Sequence, residues 1–147
     1  MVKYFTKILV VFSILVVGSV TASYAQMSTG TALKFNISHS FVIKDKTYPA
    51  GEYIFKPLDN QMDPGYVLEL TSVDGKQNAI FDTIGTSVNE EPSSSELVFS
   101  QVGDQYFLSK ILVKGETNVS EIPETKKEKE LIAADNVPKN NSMGATH

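Results

Sequence analysis

Cysteine is absent from this chain of 147 residues. That omission removes disulfides, thiolate metal ligands, thiol nucleophiles and a lipid-bearing cysteine at an export site. Arginine is absent as well, since all 13 basic residues are lysines. No side chain therefore offers the planar fork that reads phosphate or guanine in pairs of hydrogen bonds. Histidine occurs twice, as His39 and His147. Two lone histidines without a thiolate do not make a metal site, which needs at least three converging ligands. The spacing of acids in a calcium-binding helix-loop-helix is missing too.

Long hydrophobic runs are scarce, and the one present lies at the start. Lys3 and Lys7 precede an apolar stretch from Ile8 to Val20, followed by the small-residue triplet Ser23, Tyr24 and Ala25. This order of charge, grease and small residues is that of a secretory signal peptide cleaved near Ala25. The stretch is shorter than the roughly 20 apolar residues that span a bilayer, so cleavage is expected over retention as an anchor. A secreted or periplasmic location and no transmembrane segment after cleavage follow as expectations. Residues 1–25 carry two lysines and no acid, which leaves 11 basic against 17 acidic residues, a net charge of −6. An acidic domain repels a polyanion, so nucleic acid is not an expected partner.

What the remainder has is period-two alternation. Leu33, Phe35, Ile37, His39, Phe41 and Ile43 fall on one side of an extended segment, with a bend expected near Ser38 to Ser40. Tyr48-Pro49-Ala50-Gly51 has the residues of a type I turn. Glu52 to Lys56 then alternates, Asp63-Pro64-Gly65 breaks the chain, and Tyr66 to Ser72 alternates again. Asp74-Gly75 predicts a two-residue hairpin turn into a strand from Lys76 to Thr83. Glu96 to Val102 and Gln105 to Val113 form another predicted hairpin about Gly103-Asp104. In its second strand, Phe107, Ile111 and Val113 are expected on one face and Tyr106, Leu108 and Leu112 on the other. Apolar residues on both faces imply a central strand or one covered by another element.

Thr125 with Glu128 three residues later is a capping-box pattern ahead of Lys126 to Ala134, and predicts a short helix. The lysine and glutamate residues of that run read as surface charge with i,i+4 pairing. The expected organisation is a signal peptide over 1–25, an antiparallel β domain over 26–122, a C-terminal helix over 123–134 and a disordered tail over 135–147. The expected fold class is mainly β: about seven or eight strands in a single antiparallel meander, curled into a small β-barrel or sandwich, with a short C-terminal helix. Phe35, Phe41, Tyr53, Phe55, Phe81, Phe99, Tyr106 and Phe107 are expected to fill its interior.

The segments Leu33 to Ile37 and Phe41 to Tyr53, the latter containing Lys46-Thr47-Tyr48-Pro49-Ala50-Gly51-Glu52-Tyr53, carry a resemblance. They are similar to a family of small, uncharacterised, secreted bacterial proteins that share an F-V-x-x-x-K-T-L-P-A-G-E-Y stretch. Ser72 to Lys76, Gly103 to Ser109 and Ile122 to Leu131 match it as well, so the likeness covers the chain from Leu33 to the predicted helix. It implies a secreted β scaffold and brings no activity with it. The family's helix start is rich in arginine where this chain has Lys126, Lys127 and Lys129. The position of His39 is often aromatic there, which implies a place on the core face.

Candidate chemistry is sparse. His39 shares the apolar face of its strand while Ser38 and Ser40 face the other way, so neighbouring serine and histidine cannot form a relay. Glu52 and Glu69 lie opposite their aromatic neighbours, and Glu90 and Glu91 lie in a loop. Asn36, Asn118 and Asn140 begin glycosylation triplets, which matter only in a eukaryotic host. No catalytic, cofactor-binding or metal-binding residue is assigned, and no cofactor is expected. The function expected is that of a non-enzymatic, secreted or periplasmic binding or envelope-associated module. A carrier of a small apolar ligand in a barrel cavity and a carboxylate-dependent hydrolase are the alternatives. The partner is left unknown, with an envelope component and a small apolar ligand as the candidates.

Overall fold

A computed structural model describes residues 32–58, 67–134 and 137–146. The expected signal peptide, the Asp63-Pro64-Gly65 break and His147 lie outside the described residues. Among the described residues the fold is mainly β, with two sheets and one short helix.

The first sheet is built from β1 (Leu33–Ile37), β4 (Gly51–Pro57), β5 (Val67–Ser72) and β6 (Asn78–Asp82), in the order β1-β4-β5-β6. All three pairings are antiparallel. Its inward faces carry Phe35, Ile37, Tyr53, Phe55, Leu68, Leu70 and Phe81, all buried. These are the alternate positions of each strand, as period two requires.

The second sheet has the path β11-β8-β9-β10-β7, from β7 (Ile84–Ser87), β8 (Glu96–Val102), β9 (Gln105–Leu112), β10 (Asn118–Glu121) and β11 (Lys139–Gly144). A hairpin of β2 (Phe41–Ile43) and β3 (Lys46–Tyr48) joins it where Val42 pairs in parallel with Phe107 of β9. That parallel pairing and the non-sequential strand order overturn the expectation of a single antiparallel meander. The cause is the expected bend: Ser38 to Ser40 interrupts the apolar face, and the chain leaves the first sheet there for the second.

The two sheets share one apolar cluster, with Phe35, Tyr53 and Phe55 from the first and Leu97, Phe99, Leu108 and Ile111 from the second. Most of its ring pairs meet edge to face, while Phe41 and Tyr48 stack. Phe35 and Phe55 are 5.7 Å apart between centroids, Phe55 and Phe81 6.5 Å, and Phe41 and Tyr53 5.1 Å. Such pairs contribute about 0.5–1.5 kcal/mol each beyond area burial.

Face assignment along β9 departs from simple alternation. Phe99 pairs with Leu108, but Val98 pairs with Lys110, so Ser109 is an extra residue on β9. This bulge puts Leu108 and Ile111 both on the shared core, while Phe107 turns to the opposite face with Val42 and Val102. The bulged residue's carbonyl accepts from Ile122 N–H at 2.8 Å. Phe107 is therefore buried outside the inter-sheet interior assigned to it, and Tyr106 is only partly buried.

The Asp74-Gly75 connection is longer than a two-residue turn. Ser72 N–H donates to Gln77 O at 2.9 Å, which closes a four-residue loop from Val73 to Lys76. Gly75 N–H donates to Ser72 O at 2.9 Å, and Gly75 takes a φ of +73°, the left-handed conformation such loops need.

The C-terminal portion holds the largest correction. Four of the six residues 139–144 are polar, yet β11 pairs antiparallel with β8 over six positions, from Lys139↔Gln101 to Gly144↔Glu96. A disordered tail was expected because the segment has little to bury. Its stabilisation comes instead from completing the edge of β8, with Met143 and Ala145 packed against the shared core. Thr146 N–H then donates to Lys34 O on β1 at 2.8 Å, which ties the far edges of the two sheets together.

Candidate functional site

The helix α1 (Lys126–Ala133) begins as the capping box dictates. Glu128 N–H donates to Thr125 Oγ1 at 3.0 Å, and the Glu128 carboxylate accepts from the Thr125 backbone. Leu131 and Ile132, three and four positions after Glu128, pack against Val42, Val102 and Phe107. That spacing puts all three on one helical face. Glu128 is consequently 5% exposed and hydrogen-bonded to Ser100 of β8, itself 8% exposed. Burial raises its pKa above the ordinary glutamate value, and nearby Glu124 adds to the rise, while the Ser100 and Thr125 hydrogen bonds oppose it. Sequence reasoning put Glu128 on the solvated face. The signal against that was present: the residue shares a helical stripe with the only large apolar side chains of α1. Lys126 and Glu130 do form the expected i,i+4 pair, at 3.7 Å on the surface.

His39 is half-buried. Its ring stacks on Tyr106 at 3.7 Å between centroids and meets the edge of Phe99 at 5.0 Å. Its Nδ1 lies 3.2 Å from Ser40 O, a separation that suits donation by that nitrogen. Ser38 and Ser40 are exposed. The structure does not bring a hydroxyl and an acid to this imidazole among the hydrogen bonds of the described residues.

A shallow cleft of about 430 Å³ lies between the Pro49 to Tyr53 segment and the Ser72 to Gln77 loop. Tyr53 O–H crosses its floor to donate to Pro49 O at 2.6 Å. Burial raises the pKa of this phenol, with the charges of Asp74 and Tyr48 adding to the effect. Glu52 and Asp74 both line the cleft. Glu52 is paired with Lys34 at 3.0 Å. Asp74 Oδ1 accepts from Ser72 Oγ at 2.6 Å and from Lys76 N–H at 3.1 Å. The Ser72 bond first, then the backbone bond, hold the Asp74 carboxyl below its usual range. Both acids serve the loop and the sheet surface. Glu69 accepts from Asn78 Nδ2 at 3.2 Å, also at the surface.

Among the described residues, no three histidine or acidic side chains converge as a metal site needs, and no helix is long and apolar enough to cross a membrane. No protein-family model, no curated protein and no solved structure matches the chain.

Proposed function

We propose that the chain is exported and acts outside the cytoplasm as a non-enzymatic binding or envelope-associated module of a bacterium. The observation that carries this reading is the filled interior. Phe35, Phe55, Phe81, Phe41, Tyr53 and Phe99 interlock between the sheets, and Phe35, Phe41 and Phe99 are fully buried. Apolar carriers keep a cavity where these rings stand. The two sheets are read as the layers of a sandwich, so binding falls to the outer surface. The N-terminal order of charge and grease and the likeness to small secreted proteins support export. At the cleft that Glu52 and Asp74 line, the Asp74 carboxyl is held below its usual range, which suits a carboxylate and not a proton donor.

Native mass spectrometry of the protein isolated from its host envelope, after mild crosslinking, tests the proposal. A chain shortened at Ala25 and recovered with an envelope component is the expected result. The full-length chain in the cytosol sinks export. A stoichiometric small apolar ligand in place of a macromolecular partner turns the reading to a carrier.

A further inference from the structure

The helix α1 is held to the second sheet by a small contact that contains a carboxyl group. Val42, Val102 and Phe107 supply the apolar floor, and Leu131 and Ile132 cover it. Glu128 sits beside them with Ser100 and the Thr125 backbone as its hydrogen-bond partners. Both partners are neutral. Among the described residues, the groups that pack with it in this contact carry no positive charge. From β2 the helix meets Val42, from β9 Phe107, and from β8 Ser100 and Val102. Asn140 of β11 stands opposite Ser100 in register. The charged group that acts on Glu128 is Glu124, of the same sign. On α1 itself, Lys126, Lys127 and Lys129 are exposed, and Lys126 is engaged with Glu130.

A carboxylate removed from water without a cation is costly, and a protonated carboxyl in the same place is not. Neutral Glu128 also gains an O–H donor for the Ser100 oxygen. We propose that Glu128 is a proton-operated latch: docking of α1 tightens when its carboxyl takes up a proton and loosens when the proton leaves. Loosening uncovers Val42, Val102 and Phe107.

The sign follows from linkage. The carboxyl of the docked helix binds its proton more tightly than that of the undocked one, so protonation favours docking. The contribution is complete below the ordinary glutamate value of 4.5 and is lost as pH rises through the higher value of the docked state. The latch does not depend on what the protein binds.

Amide hydrogen exchange, converted to protection factors so that the intrinsic pH dependence drops out, reads α1 directly. Lys129 N–H, bonded to Thr125 O, and Ala134 N–H, bonded to Glu130 O, are the reporters. Their protection is expected to fall by about threefold or more from about pH 4 to about pH 7.5, while that of Leu70 in the first sheet holds. Glu128→Gln keeps an acceptor for both partners and is expected to flatten the profile. A flat wild-type profile, or an unchanged slope in Glu128→Gln, overturns the latch. Carbon-13 titration of the Glu128 carboxyl in the wild-type protein decides the matter if the variant does not fold. A midpoint above 4.5 upholds the proposal and one at or below it overturns it.

Discussion

The two faces of the second sheet are buried by different means. Its inner face meets the first sheet through aromatic and branched side chains from many strands, among them Phe99, Leu97, Leu108 and Ile111. Its outer face is covered by one helix of eight residues through Leu131 and Ile132, with a carboxyl and a hydroxyl among the apolar groups. The inner contact is broad, apolar and contributed by strands of both sheets. The outer one is narrow and includes a group whose charge can change. The difference is between a surface that sets the fold and a surface that can open without losing it.

Breaking the inner face is expected to cost most. Phe99→Ala removes a fully buried ring that touches both Phe41 and His39, and is expected to destabilise the protein by about 3–5 kcal/mol in urea unfolding. A loss below about 1 kcal/mol means the interior is loosely packed, and the carrier reading returns. Removal of residues 135–147 comes next. It strips β11 from β8 and takes Met143 and Ala145 from the core, with an expected loss of about 2 kcal/mol and a lower Tm. An unchanged Tm shows that β11 does not hold in solution.

The outer face is expected to respond less. Thr125→Ala deletes the helix cap and should cost about 1 kcal/mol, read as lost protection in α1 while the first sheet stays protected. An equal loss in both sheets means the helix is part of the global unit, and the contrast between the faces fails. The smallest effect lies at the β2–β3 turn, where Lys44 takes a φ of +54°. Lys44→Asn suits that conformation better and is expected to gain about 0.5 kcal/mol, since the exposed Lys44–Asp82 pair at 3.5 Å contributes little. A loss of stability there assigns the lysine a role beyond the turn.

Much of the inner face was legible in the chain. Phe35, Ile37, Phe41 and Ile43 alternate, and all four are buried. The break at Ser38 to Ser40 is where β1 ends and β2 begins. The capping box located α1 to within a few residues. The short strands were not legible. In β10 only Val119 is buried, and β7 contains no buried residue, so neither shows the repeated apolar alternation that identifies a strand. Of the candidate site, His39 was expected on the core face, whereas Glu128 was read as surface charge because its lysine neighbours dominate the composition.

Alternation, capping and turn residues are properties of neighbours along the backbone, so the sequence alone determined a mainly β chain with a late, short helix. Only the tertiary structure decided that β2 would cross to the second sheet, that Ser109 would bulge and turn Phe107 outward, and that a largely polar segment would become β11. Those outcomes depend on partners distant in sequence. A strand with few apolar groups forms when another strand offers unpaired backbone donors and acceptors, and that offer is made in space.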